Sequence, residues 1–269
     1  MTQPEQGALR SNPQGHHAQQ SSQSREQYDD LWRDLWANTL AGGPMTRNRY
    51  RLALRWLDLA PDSHDRMLDV GAGTGAFMAQ ALKRAPALAL FGAEFSQAAI
   101  QLAHPAVRER IAPCDLQATH ALPWGGNFHT VTCMEVLEHL PDDALALAHI
   151  ANALAPGGRL LVTVPAWEAR WGPQDVAARH VRRYEPEVLR ERLEQAGLKV
   201  ARVRCWGGPF AHLYLRTADL LKPENVMKVR PTGFAGVMAT TIYQFLKLDD
   251  YWPGERGEQL IALAVKESG

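Results

Sequence analysis

The residues with the most chemistry in them lie between Asp69 and His180. The run Leu68-Asp69-Val70-Gly71-Ala72-Gly73-Thr74-Gly75 sets three glycines after an apolar segment and before a helical pattern. Glycine adopts backbone angles that other residues avoid and lets a ligand approach the main chain, while a helix N-terminus offers free amide donors. Gly71, Gly73 and Ala76 also satisfy the dinucleotide fingerprint, so the loop alone leaves a nicotinamide cofactor open. Asp69 is an acid inside an otherwise apolar run, placed either to meet a ligand's ammonium group or to cap amides of the turn. Glu94 ends the next apolar run, where a carboxylate can accept bonds from both hydroxyls of a ribose. His139 and His180 each follow an apolar run, and an imidazole with an ordinary pKa of about 6.5 can take a proton at neutral pH. A structural histidine bonded to a loop carbonyl is the alternative for each.

These residues need a frame that brings them to one edge. From Arg66 onward short apolar runs alternate with helical patterns, which predicts strands near 66–70, 87–93, 110–113, 129–134 and 159–165 and helices near 75–84, 96–103 and 142–154. A further helix starts at Pro186 and stops at Gly197, and strands follow at 198–205 and 259–265. Such alternation implies an α/β fold, doubly wound around a mostly parallel sheet of seven strands, with ligands at the carboxyl ends of the strands. Tyr28, Leu31, Trp32, Leu35 and Trp36 have helical spacing, so a helix over 28–40 is expected to pack on this domain. Residues 1–25 carry almost nothing apolar and are expected to be a disordered tail, leaving 26–269 as a single domain. A stretch of about 50 residues, 207–257, separates the last two strands, and loops of that length are usually lids or subdomains; a helical lid over the ligand is expected.

Composition narrows the partners. Lysine plus arginine and aspartate plus glutamate number 29 each, so no global field draws nucleic acid or an anionic membrane, and a small-molecule acceptor is the better reading. Cys114, Cys133 and Cys205 are scattered and read as reduced and structural, which suits a cytoplasmic protein. No basic region followed by an apolar core marks a signal, and no apolar run reaches the roughly 20 residues that span a bilayer. Gly233 to Leu248 is apolar enough for peripheral contact with lipid. His16-His17 lies in the tail without the companions that a metal site needs, and no metal is expected.

Further segments extend the pattern. Cys114-Asp115 follows the third strand; Phe128-His129-Thr130-Val131-Thr132-Cys133-Met134-Glu135-Val136-Leu137-Glu138-His139-Leu140 spans the fourth; Ala155-Pro156-Gly157-Gly158 turns into the fifth. In this order, after the glycine loop and Glu94, they resemble the class I S-adenosylmethionine-dependent methyltransferase family from about residue 50 to the C-terminus. The usual Phe-Asp of the fourth strand is Phe128-His129 here. The resemblance implies a Rossmann-like methyltransferase fold that binds S-adenosyl-L-methionine and releases S-adenosyl-L-homocysteine. It carries cofactor contact onto Asp69, Gly71, Ala72, Gly73 and Gly75, onto Glu94 and Phe95, onto Asp115 and Leu116, and onto Met134 and Glu135. Asp175 and His180-Val181-Arg182-Arg183-Tyr184, before Glu185-Pro186, resemble a bacterial branch of the family with a His-x-Arg-Arg-Tyr segment.

Methyl transfer from a sulfonium needs alignment of donor and nucleophile and exclusion of water, with a base only for an acceptor hydroxyl. His139 and His180 are the candidates for that catalytic base, Arg182 and Arg183 for a clamp on an acidic acceptor or equally for ion-paired loop residues, and Trp167, Trp171, Trp206 and Phe210 for an aromatic wall, with core packing accounting for some of them. Two other readings stand beside the methyltransferase: a nicotinamide-dependent oxidoreductase, and a non-catalytic module that binds the cofactor.

Overall fold

The computed structural model describes residues 25–36, 42–117, 122–222, 225–226, 229, 232–251 and 256–268. Most of the expected tail and residues 37–40 of the expected first helix lie outside them. The centre is a sheet of seven strands: β1 Arg66–Val70, β2 Ala89–Glu94, β3 Ile111–Pro113, β4 Phe128–Met134, β5 Leu154–Pro165, β6 Leu198–Trp206 and β7 Gln259–Lys266. Their order is β3-β2-β1-β4-β5-β7-β6, parallel except that β7 runs antiparallel to both neighbours. The chain winds outward from β1 to β3 and then returns to place β4 beside β1. This reversal leaves a crevice at the carboxyl ends of β1 and β4, where open α/β sheets bind ligands.

Helices cover both faces because the inner strands are apolar on both. On one face α5 (Asp143–Ala153) and α7 (Pro186–Gln195) pack Leu147, Ile150, Leu189 and Leu193 against Phe128, Val131 and Val162. On the other, α2 (Pro44–Leu57) and α3 (Ala76–Arg84) bring Leu52, Leu57, Phe77 and Met78 against Met67 and Leu90. The sequence reading assigned no helix to 44–57. Pro44 at its first turn and the buried row Arg49, Leu52, Ala53, Leu57 are the signals that mark it. The helix expected over 96–103 is shorter, α4 Gln97–Gln101, started by the Ser96 hydroxyl, which accepts the Ala99 amide at 3.1 Å.

The N-terminal segment also departs from one regular helix. α1 (Arg25–Leu31) passes into a π-helical turn, Trp32–Trp36, in which the two tryptophans stay buried and meet edge to face at 5.6 Å. Asp29 ties this segment to the sheet edge: its carboxylate accepts the Ser96 hydroxyl at 2.5 Å and the Ala98 amide at 3.2 Å.

Between β6 and β7 the chain forms α8 (Pro209–Leu220) and α9 (Gly233–Leu246). α9 lies on α2, where Arg47 bonds Thr240 at 3.1 Å and covers the Tyr243 ring, and Arg51 grips Asp250 with two bonds of 2.7 and 2.8 Å. Its Phe234, Val237, Met238 and Phe245 are exposed. Among the described residues no helix is long and apolar enough to cross a membrane. All three cysteines are free.

The segment between β5 and α7, which includes the short α6 (Pro173–Ala178), is anchored by Tyr184. Its main chain bridges Ala166, and its buried hydroxyl donates to Asp143 Oδ2 at 2.8 Å. Removing one partner of a buried bond to a charged group costs about 1.5–3 kcal/mol. Tyr184→Phe is expected to lower the unfolding free energy by that amount, read as a lower urea midpoint at unchanged slope; an unchanged midpoint would show that the bond does not hold the segment.

Candidate active site

A cavity of roughly 350 Å³ opens over the carboxyl ends of β1, β2 and β4. Of the residues singled out from the sequence, Asp69, Gly71, Ala72, Gly73, Glu94, Phe95, Asp115, Leu116, Met134, Glu135, His139 and His180 all line it. Gly75 does not. It is the N-cap of α3 in a left-handed conformation (φ +67°), with its α-carbon turned toward Val107, so its glycine is required by the turn and by packing. Gly73 (φ +54°) is likewise constrained from within the protein, since a Cβ there would stand 2.5 Å from the Trp32 ring.

Three acids stand in a row along the strand ends. Asp69, at the end of β1, is buried and accepts the Thr132 hydroxyl at 2.6 Å; burial pushes its carboxyl up to about 7. Glu94, at the end of β2, accepts the Gly73 amide on one oxygen and the Ser96 amide on the other, each at 2.7 Å. Burial raises its pKa while those amide bonds oppose the rise. Asp115, past β3, accepts the Gln117 amide at 2.9 Å, which fixes its turn. Glu135 sits in a left-handed conformation (φ +55°) beyond β4, receives the Thr163 hydroxyl at 2.9 Å and pairs with Arg49 at 2.7 Å. Arg49 escaped the sequence reading because α2 did.

The two histidines meet. Their ring centroids are 4.9 Å apart, nearly perpendicular, and Tyr28 and Trp36 pack on His139 at 5.9 and 5.6 Å. Burial, with His180 beside it, lowers the pKa of His139 well below the usual imidazole value. His180 Nδ1 lies 2.8 Å from Asp175 Oδ1, which Arg183 Nε also reaches at 2.8 Å. Burial disfavours the charge on Asp175, yet these bonds hold its carboxyl below the usual range, so His180 Nδ1 donates to it.

On the acceptor side the ion-paired alternative for the arginines is what the structure places there, with Arg183 also lining the cavity, and the aromatic wall is corrected. The arginines are paired within the protein: Arg183 with Asp175, and Arg182 with Asp143 at 3.0 Å and with the Pro141 carbonyl. The charge nearest His180 is thus the Asp175 carboxylate. Trp167, Trp171, Trp206 and Phe210 do not line the cavity; Trp167 donates to the Gly257 carbonyl and Phe210 packs on Phe245. The aromatic lining comes from Tyr28, Trp32, Trp36, Tyr50, Phe77 and Phe95 instead. Among the described residues of 207–257 Leu215 reaches the cavity, whose other cover comes from the N-terminal segment and α2.

Known proteins carry the same frame. The crystal structure of the [4+2]-cyclase SpnF superposes with a TM-score of 0.63 at 20% identity, over 92% of this chain and 98% of that one. Phosphoethanolamine N-methyltransferase 2 of Haemonchus contortus, in complex with S-adenosyl-L-methionine, gives 0.58 at 19% identity over 92% of this chain and 58% of that one. In sequence, the ubiquinone biosynthesis O-methyltransferase of Thiobacillus denitrificans is 37% identical over 112 residues, 40% of this chain and 47% of that protein. The O-methyltransferase cnsE of Penicillium expansum is 30% identical over 152 residues, 53% and 55% of the two chains. The chain thus spans about half the length of these curated relatives. The profile described as "Methyltransferase domain" matches residues 45–203, from α2 through the glycine loop and His180 into β6, and the chain belongs to the methyltransferase domain family.

Proposed function

We propose that this protein transfers a methyl group from S-adenosyl-L-methionine to a hydroxyl of a small, partly apolar acceptor. The observation that carries the reading is the set Asp69, Glu94 and Asp115 around one cavity. Three carboxylates suit a ligand with an ammonium group, a ribose diol and an adenine amino group. They do not suit the pyrophosphate of a nicotinamide cofactor, which would face Asp69 across the glycine loop while the arginines that line the cavity, Arg49 and Arg183, are engaged by Glu135 and Asp175. Relatives named as O-methyltransferases support the hydroxyl acceptor.

In this reading Asp69 meets the ammonium end, Glu94 the ribose and Asp115 the adenine, while Phe95, Leu116 and Met134 pack on the adenosyl group. Bound S-adenosyl-L-methionine supplies an electrophilic methyl on a sulfonium. The chain's part is positioning: Tyr28, Trp32, Trp36 and Tyr50 exclude water from the cavity, and effects of this kind can be worth about 7–11 kcal/mol when geometry is ideal. His139 and His180 are the acceptor-side groups, set either to take the hydroxyl proton or to hold the oxygen that loses it. The His-x-Arg-Arg-Tyr segment is what we take as the mark of the branch, since Tyr184 anchors it, Arg183 orients Asp175 and Asp175 orients His180. The part of 207–257 that acts as a lid is α8, through Leu215.

Labelled methyl from S-adenosyl-L-methionine is expected to appear on oxygen in small hydroxylated aromatic compounds and on none of their methyl ethers. Transfer to no hydroxyl in such a panel would sink the proposal.

Binding should also report on Asp69. With its carboxyl at about 7 in the empty site, an ammonium ligand must expel a proton below that pH. Affinity for S-adenosyl-L-homocysteine is therefore expected to rise by up to about tenfold per pH unit toward 7 and to level off above it. Asp69→Asn should flatten this dependence in calorimetric titrations; a wild-type affinity that is flat from pH 5 to 8 would place Asp69 away from the ammonium group. Glu94→Ala is expected to weaken the same ligand by about 1.5–3 kcal/mol, the range for hydrogen bonds to a charged group, and equal affinities would remove Glu94 from the ribose.

A further inference from the structure

Near the paired imidazoles lies the carboxylate of Glu138. It is fully buried, and among the described residues neither of its side-chain oxygens has a hydrogen-bond partner on another residue. An unpaired buried carboxylate is costly, and native proteins rarely leave one without a counter-charge. The Glu135 carboxylate acting on it cannot provide one, and Arg49, whose charge also reaches Glu138, is engaged by Glu135 at 2.7 Å.

The two histidines present free nitrogens to the same place. Among the described residues His139 Nδ1 has no hydrogen-bond partner, and the ring interacts with the Arg179 main chain. His180 donates Nδ1–H to Asp175, which leaves Nε2 with its lone pair exposed to a ligand. Carboxylate behind imidazole is the arrangement that orients metal-binding histidines and strengthens them as donors. One donor atom from each of Glu138, His139 and His180 lies within 4.8 Å of the others. Around an ion with bonds of about 2.0–2.2 Å, donors opposite one another stand about 4.2 Å apart and adjacent ones closer, so small side-chain rotations close the set.

We propose that Glu138, His139 and His180 bind one divalent first-row transition-metal cation at the acceptor end of the cavity. Two imidazoles and one carboxylate suit Mn²⁺, Fe²⁺, Co²⁺ or Zn²⁺, whereas Mg²⁺ and Ca²⁺ favour oxygen donors. Three protein ligands leave coordination positions open, and His139 and His180 both face the cavity. An acceptor hydroxyl bound at an open position would be acidified and held in place, its proton passing to water as the oxygen becomes the nucleophile. The two histidines then act together as ligands, which explains why they converge; the sequence reading, which assigned no metal, missed them because they stand far apart in the chain. Only the role toward the acceptor rests on the methyl-transfer reading. The cation site itself does not.

The test uses the full chain, stripped of metal with EDTA and titrated with MnCl₂ without S-adenosyl-L-methionine, with free Mn²⁺ counted by its EPR signal. One Mn²⁺ per chain is expected, weakened at least about tenfold by Glu138→Gln and by His180→Asn, and by about 10–100-fold by Asp175→Asn, which touches no ion. Thermal melting identifies any variant that has lost its fold; Glu138→Gln is isosteric and replaces a buried carboxyl without a partner on another described residue, so it is expected to melt no earlier than the wild type. No stoichiometric binding overturns the proposal. So does binding that is equal in wild type and Glu138→Gln, which would put the ion elsewhere, as on His16 and His17. Since the readout is ion binding alone, its failure would leave methyl transfer standing, and loss of methyl transfer would leave it standing in turn.

Discussion

Burying carboxylates at the ends of parallel strands is the constraint from which the site follows. A carboxylate there survives only if donors are built around it, and Glu94 shows how: one oxygen holds the Gly73 amide and the other the Ser96 amide. Through the first it fixes the glycine loop after β1. Through the second it fixes the start of α4, whose Ser96 hydroxyl and Ala98 amide in turn hold Asp29 and so place α1. One side chain therefore joins the loop, the sheet edge and the aromatic cover. Asp69 solves the same problem with Thr132, and Asp175 with His180 and Arg183.

This architecture explains what could be read from the sequence and what could not. All seven strands and their winding are legible because alternation of short apolar runs with helical patterns is a local signal, and the acids and glycines sit at fixed offsets from it. The cover was not legible. Tyr28, Trp32 and Trp36 gave helical spacing, but nothing local says that Asp29 will reach Ser96 and swing those rings over the cavity. The 207–257 insertion drew attention by length alone, while α9 found its partner in α2, a helix the sequence reading did not assign. Trp167 and Phe210 were placed by proximity to a strand end, yet their rings turn to the Gly257 carbonyl and to Phe245. His139 and His180 were each legible as chemically able, but their meeting depends on Tyr184, whose hydroxyl sits on Asp143 across the fold.

The fold itself does not decide the chemistry. The [4+2]-cyclase SpnF shares this frame across nearly its whole length, so the frame can carry reactions that differ in kind. The chemistry rests on side chains: acids at the ends of β1 and β2 and past β3 line the cavity, and beyond them two imidazoles stand near a buried carboxylate without a partner on another described residue. The first set bears on which cofactor binds and the second on how an acceptor is held.

The central claim is that Asp69, Glu94 and Asp115 select S-adenosyl-L-methionine over a dinucleotide. Isothermal titration of the full chain with each ligand tests it most directly. The account predicts one S-adenosyl-L-methionine bound per chain and no heat from NAD⁺ or NADP⁺ beyond dilution; saturable binding of a dinucleotide with none of S-adenosyl-L-methionine would contradict it.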